Sequence, residues 1–266
     1  MAARVGRETI PLTTDSAIHS TAPADGDFLP GPVLLLGAPG VGKGTQAKAL
    51  MAAYGIPQIS TGDILRANIS KGTTLGKMAK ALVDQGTLVS DNLVNQMVAD
   101  RLSQPDVERG YILDGYPRTL NQAEWLDNHL AAENLVQSNT SHPDNFSAGA
   151  ALPVVAIHIV VKYEQLLHRI TGRRICPSGH IFNIYSNPSA VPDICDVDSS
   201  KLVQRPDDSE AVFTERMKTF ERQTAPVIEH YRKQGRFEEI NGDQPVEQVT
   251  AGIISALKRL RHTSNE

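Results

Sequence analysis

Apolar residues are unevenly spread along the chain. Up to Pro30 they lie scattered among Thr, Ser, Ala, Asp and Pro. Such a segment buries too little surface to offset its ordering entropy, so residues 1–30 are expected to form a loose tail. Val33-Leu34-Leu35-Leu36 is then a short continuous apolar run ending in glycines, the pattern of a strand covered on both faces. A helix is expected over 44–54, closed by Gly55 and Pro57. Further buried strands are expected at 111–113, 154–161 and 237–240, with helices between them, for example over 91–102 and 209–234. From Pro245 onward Val246, Val249, Ile253, Ile254 and Leu257 recur at helical spacing. Strands alternating with helices predict an α/β fold over 31–266: a mostly parallel sheet flanked by helices on both faces.

Two stretches interrupt this rhythm. Residues 132–152 are rich in Asn, Ser, Gly and Ala and read as a surface insertion without a catalytic role. Residues 176–204 carry turn formers and short β-like pieces, such as 180–185, and read as a small inserted lobe. No internal repeat is visible.

Composition narrows the function. At 266 residues, with 40% hydrophobic and 21% charged residues, the chain can bury a core without disulfides or structural metal. A formal net charge of −4 speaks against general nucleic-acid binding, so an anionic ligand must be held by a local cluster of Arg and Lys. The two cysteines, Cys176 and Cys195, do not make a disulfide framework. No run approaches the roughly 18 apolar residues of a membrane span. Arg4, Arg7 and Glu8 precede no sustained apolar stretch, so no signal peptide is expected. A cytoplasmic monomer without nucleic-acid or membrane partners is the expectation.

Gly37-Ala38-Pro39-Gly40-Val41-Gly42-Lys43-Gly44-Thr45 lies between the first strand and the first helix. Phosphates are cradled by backbone N–H groups at a helix N-terminus, and glycines let the backbone curl around them. Lys43 would reach the transferring phosphates as a point charge. Gly44 follows the lysine and the hydroxyl comes one place later, at Thr45, which departs from the general phosphate-loop pattern.

This variant of the loop resembles that of adenylate kinases, and the resemblance continues in order along the chain. Ser60-Thr61-Gly62-Asp63-Ile64-Leu65-Arg66 is similar to the segment opening the family's AMP-binding lobe, and Gly86-Thr87-Leu88-Val89 to its exit. Asp114-Gly115-Tyr116-Pro117-Arg118-Thr119 with Gln122 resembles the family's Asp-Gly-Phe-Pro-Arg-Thr signature and its glutamine. Arg169-Ile170-Thr171-Gly172-Arg173-Arg174 looks like the entrance to the lid, and Arg205-Pro206-Asp207-Asp208 with Arg216 like its exit. Thr224-Ala225-Pro226-Val227-Ile228 matches a helix near the end. The match runs from about Val33 to Leu260.

The resemblance implies a P-loop nucleotide kinase with an inserted AMP-binding lobe over 60–89 and a lid over 172–208. It implies reversible phosphoryl transfer from Mg·ATP to AMP, giving two ADP. Thr61, Arg66, Thr87, Leu88, Val89, Gly115, Tyr116, Pro117, Arg118 and Gln122 would hold AMP. Gly40, Val41, Gly42, Lys43, Gly44, Thr45, Arg169 and Arg173 would hold ATP, with Ile181, Phe182 and Gln244 beside its base and ribose. Arg205 and Arg216 would bridge the phosphates of both nucleotides. Asp114 would orient Mg²⁺ through water.

Charge makes this assignment reasonable. ATP and AMP bring about six negative charges, of which one Mg²⁺ offsets two. Lys43, Arg118, Arg173, Arg205 and Arg216 would supply the remainder, as a reaction carried by positioning and electrostatics requires. The AMP phosphate is already an anion, so no strong general base is needed. Arg101 and Arg174 read as solvated charges, and His158, inside a strand, as a sheet residue.

Some relatives hold zinc in the lid with Cys-x-x-Cys followed by Cys-x-x-Cys or Cys-x-x-Asp; others replace it with a polar quartet. This chain has Cys176, then Cys195 and Asp198, with His180 near the position where a second thiol would stand. Structural Zn²⁺ on Cys176, His180, Cys195 and Asp198 and a merely hydrogen-bonded cluster both remain open. Two other functions are weighed. Another nucleoside monophosphate kinase, acting on UMP or CMP or using GTP, would generally carry a shorter lid in the pyrimidine case. A P-loop switch or ATPase would need no second set of arginines.

Overall fold

The computed structural model describes residues 28, 30–140 and 153–262. The expected insertion beyond residue 140 and residues 1–27 of the expected tail lie outside the described residues. The end of that tail is not loose. Phe28 packs on Tyr54, with ring centroids 5.7 Å apart, and the buried Pro30 offers its carbonyl to Arg261 Nε at 2.7 Å.

Strand β1 (Gly31–Leu36) lies at the centre of a five-stranded sheet, between β3 (Gly110–Asp114) and β4 (Val155–Val160). Outside these lie β2 (Gln58–Ser60) and β7 (Phe237–Asn241), giving the order β2-β3-β1-β4-β7. All four pairings are parallel, with Leu34 opposite Leu113 and Ala156. Every residue of β1 is buried because both of its faces are covered. Leu34 and Leu36 point into one core with Leu113, Leu126, Val227 and Tyr231. Val33 and Leu35 point into the other with Ala47, Leu50, Ile253 and Leu257. Truncating a fully buried residue such as Leu34 to Ala would cost about 2–5 kcal/mol.

The helices divide accordingly. α1 (Lys43–Tyr54), α6 (Tyr163–Thr171) and α9 (Val246–His262) cover one face. α4 (Asp91–Leu102), α5 (Leu120–Thr140) and α8 (Ala225–Lys233) cover the other. Two excursions leave this core. α2 (Thr61–Lys71) and α3 (Thr74–Asp84) stand between β2 and α4. Between α6 and α7 (Glu210–Thr219) the antiparallel pair β5 (Arg173–Ile175) and β6 (Ile181–Asn183) carries a small lobe.

Several sequence expectations are corrected. Residues 209–234 do not form one regular helix: a π-helical turn, Phe220–Thr224, separates α7 from α8. Thr224 Oγ1 donates to the Arg118 carbonyl at 2.9 Å, a tertiary bond that no local pattern reveals. Strand β2 was not expected, because only Ile59 of its three residues is buried. Helix α5 runs on through Thr140, into the stretch read as a surface insertion. His158 sits in the sheet as expected, and the β4–β7 register gives it a partner, Glu239 Oε2, 3.2 Å from its Nδ1. Arg101 is engaged by Asp106 at 2.7 and 2.6 Å, and Arg174 donates to the carbonyls of Thr171 and Arg173.

Candidate active site

The Gly-rich loop joins the carboxyl end of β1 to the N-terminus of α1, where ligands of parallel sheets bind. Two of its glycines are required by close packing. At Gly37 (φ +140°) a Cβ would lie 2.6 Å from the Ile159 carbonyl oxygen, and at Gly40 (φ +83°) 2.8 Å from Ile170 Cγ1. Lys43 folds back over this loop and donates to the carbonyls of Gly37 at 2.8 Å and Ala38 at 3.0 Å. Burial pushes its ammonium down to about 8, with Asp114 opposing. A cation so poorly compensated gains strongly from an incoming phosphate. Asp114, at the end of β3, accepts from Gln58 Nε2 at 2.8 Å and lies beside Gly44.

Arginines gather around the same opening, each steadied by an acceptor. Arg173 Nε donates to Asp208 Oδ2 at 2.8 Å, and its Nη2 bonds Oδ1 of the same carboxylate. Burial opposes the charge on Arg173, but Asp208 outweighs it and raises its pKa. Arg216 Nη1 donates to Asp207 Oδ2 at 3.0 Å, and Arg66 Nη2 to Asp63 at 2.5 Å. Arg205 lies 3.8 Å from Asp63. Burial pushes Arg205 and Arg216 down to about 10. Burial also works against the Asp63 carboxylate, yet Arg66 holds it below its usual range. Arg118 Nε donates to the Gly115 carbonyl at 2.6 Å. Asp207 and Asp208 are buried, so they serve as fixed anchors for these guanidinium groups.

Two adjoining cavities open here. One is lined by Thr61, Arg66, Thr87, Leu88, Val89, Gly115 and Gln122, the other by Gly37, Pro39, Lys43, Pro117 and Thr224. Arg118 and Arg216 line both. Thr61 Oγ1 donates to the Gly115 carbonyl at 2.9 Å, and the Gln122 amide is held from both ends, by Arg118 N–H and Asp91. The Tyr116 side chain turns away into the core, where its hydroxyl donates to Asn95 Oδ1 at 2.7 Å, and burial raises its pKa. Arg169 donates to the carbonyls of Val41 and Gly242, tying the Gly-rich loop to the segment that carries the exposed Gln244. Ile181 and Phe182 stand on β6, with Ile181 exposed.

In the β5–β6 lobe the structure brings Cys176, His180, Cys195 and Asp198 together, their ligand atoms all within 4.8 Å of one another. His180 Nδ1 lies 3.3 Å from Cys176 Sγ, 3.4 Å from Cys195 Sγ and 3.4 Å from an Asp198 oxygen. Cys176 Sγ is 3.6 Å from the same carboxylate. Hydrogen bonds from Ser178 and Ser200 hold Asp198 far below the usual carboxylate range. Both sulfurs are buried.

Sequence reasoning missed the roles of Asp63, Asp91, Asp207 and Asp208. Asp63, Asp207 and Asp208 stand within the quoted motifs, and their adjacency to arginines there was the available signal. Asp91 carries no local signal.

The family model described as Adenylate kinase matches residues 35–236. Proteins named adenylate kinase are similar over most of both chains. That of Symbiobacterium thermophilum is 44% identical over 230 residues, covering 86% of this chain and 99% of the relative. That of Nitrosococcus oceani is 43% identical over 231 residues, with the same two shares. That of Thermodesulfovibrio yellowstonii is 42% identical over 228 residues, 85% of this chain and 99% of the relative.

Proposed function

Because the chain belongs to the adenylate kinase family, we propose that its two adjoining cavities receive AMP and Mg·ATP with the phosphates meeting at Arg118 and Arg216. The chain is an adenylate kinase: it moves the terminal phosphoryl group of Mg·ATP to AMP and back, with two ADP as product. The sharing of Arg118 and Arg216 by both cavities carries the reading. Two guanidinium groups facing donor and acceptor sites at once can follow the charge as it passes between them.

AMP is held by the Thr61, Arg66, Thr87–Val89, Gly115–Arg118 and Gln122 side of the cleft. ATP is held by the loop from Gly40 to Thr45, with Lys43 on its phosphates and Arg169, Ile181, Phe182 and Gln244 toward its base and ribose. Arg173 and Arg205 complete the cationic wall. Mg²⁺ would arrive with ATP, and Asp114 would hold it through water, where its charge would offset part of that of the phosphates. Residues 60–89 and 172–208 form the lobes that close over the substrates and exclude water, which keeps the phosphoryl group from hydrolysis. A monomer is part of this reading, since the cleft assigned to both nucleotides needs no residue from a second copy. A cytoplasmic location is part of the same reading. Among the described residues no helix is long and apolar enough to cross a membrane.

Cys176, His180, Cys195 and Asp198 bind one structural Zn²⁺. Zinc–ligand bonds of about 2.0–2.3 Å at tetrahedral angles imply ligand–ligand edges of roughly 3.3–3.8 Å. Four of the six ligand–ligand separations, at 3.3–3.6 Å, fall within that span, and all six lie within 4.8 Å. A lobe with so small a core gains from such a cross-link.

Counting products tests the function. With Mg·ATP and AMP, two ADP should appear for each ATP consumed, without free phosphate. Phosphate release that proceeds equally without AMP would instead identify an ATPase.

A further inference from the structure

Gln122 is gripped by two partners of opposite kind. Its Oε1 accepts from the Arg118 backbone N–H at 2.8 Å, and its Nε2 donates to Asp91 Oδ1 at 2.7 Å. A backbone N–H can only donate and a carboxylate can only accept. The amide therefore satisfies both in one orientation alone. Flipped, it would set NH₂ against N–H and oxygen against carboxylate, and Gln122 is only 1% exposed, so water could not relieve either conflict. In the satisfied orientation one amide hydrogen and one oxygen lone pair remain for a ligand in the cavity that Gln122 lines.

Asp91 is itself arranged for this task. Its other oxygen, Oδ2, accepts from Thr119 Oγ1 at 2.8 Å and Asn121 Nδ2 at 3.1 Å, leaving Oδ1 to Gln122. One turn further along α4, Asn95 takes the Tyr116 hydroxyl, so residues four apart on one helix hold both ends of the 116–122 segment.

We propose that Asp91 is a specificity-determining positioning residue: by locking the Gln122 amide it fixes the donor and acceptor order shown to the purine edge. The free lone pair accepts from a 6-amino group and the free hydrogen donates to an unprotonated N1. A 6-oxopurine presents the reverse order at both positions and is refused. This rests on the reading that Gln122 meets the base of the monophosphate.

The test compares kcat/KM for AMP and for IMP, which differ only at this edge. A hydrogen-bonding site of this kind can discriminate by as much as about 10⁴-fold. Asp91→Ala should lower the AMP/IMP ratio by about tenfold or more, with kcat at saturating AMP changing less than the ratio. Asp91→Asn, which keeps an oxygen able to accept from Nε2, should restore much of the preference. Asn121→Ala, which withdraws only a bond to Oδ2, should keep the parent ratio. Should Asp91→Ala not fold, Asp91→Ser keeps a polar residue in the first turn of α4 and makes the same comparison. A parent-like ratio in Asp91→Ala or Asp91→Ser, beside a collapsed ratio in Gln122→Ala, would overturn the role of Asp91. A parent-like ratio in Gln122→Ala would overturn the base-reading assignment, and this inference with it.

Discussion

Arg173 and Asp208 form a two-point ion pair that joins the start of the β5–β6 lobe to the segment that leaves it, with Nε 2.8 Å from Oδ2. Asp208 is fully buried and cannot swing away, so the Arg173 guanidinium is held at a fixed place. Asp208→Asn keeps the volume and removes the charge. It should lower kcat by about tenfold or more while KM for AMP moves by less than about threefold. Steady-state kinetics checks this; an unchanged kcat would remove Asp208 from the positioning set.

In the proposed reading Lys43 and Arg118 bear on the charge that spreads in the transition state. Lys43→Ala and Arg118→Ala should each lower kcat/KM by about a hundredfold or more, with circular dichroism confirming the fold. A loss below about tenfold for either would take that residue out of the catalytic set.

The depressed pKa of Lys43 gives a pH signature. In the free enzyme burial pushes it down to about 8, so the protonated form that attracts ATP dominates at pH 7 and is lost as pH rises through 8. kcat/KM for ATP should therefore fall about tenfold between pH 7 and pH 9. The bound phosphates raise the Lys43 pKa, so kcat should fall less over that range. A flat kcat/KM profile, or Lys43→Arg showing the same fall, would assign the titration elsewhere.

Zinc in the β5–β6 lobe is checked by elemental analysis of protein purified without chelator. The parent should carry one equivalent and Cys195→Ala almost none. Removing the metal should lower thermal stability more than turnover at moderate temperature, because a closed four-ligand site does no chemistry. Parent protein that stays metal-free after zinc is added, yet folds and works, would leave the hydrogen-bonded cluster as the correct description.

What the sequence disclosed follows from how local each signal is. The run 33–36 announced β1 because a strand covered on both faces is apolar at every position, and the repeat from Val246 announced α9 in the same way. The phosphate loop was legible because its glycines are demanded by backbone geometry. Strand β2 was hidden because it offers only Ile59 to the core. The π-helical turn at Phe220–Thr224 was hidden because ordinary helix-compatible residues compose it and its distinguishing bond goes to Arg118. The carboxylate of Asp91 was mute for a related reason, and for Asp207 and Asp208 the adjacency to arginine in the motif did not say which guanidinium each would hold. Their meaning lies in which cation or amide the fold brings to them, and the register His158 opposite Glu239 is likewise a property of the sheet and not of either strand alone.

The most direct test of the account is the rate of ADP formation from Mg·ATP with AMP, GMP, UMP and CMP, each at the same concentration. Thr61 and Gln122, at the wall of the cavity assigned to the acceptor, should make AMP by far the best substrate, since the wrong base would leave buried polar groups unpaired at a cost of about 1–3 kcal/mol each. UMP or CMP phosphorylated as fast as AMP would contradict the adenylate kinase reading and identify a pyrimidine nucleotide kinase instead.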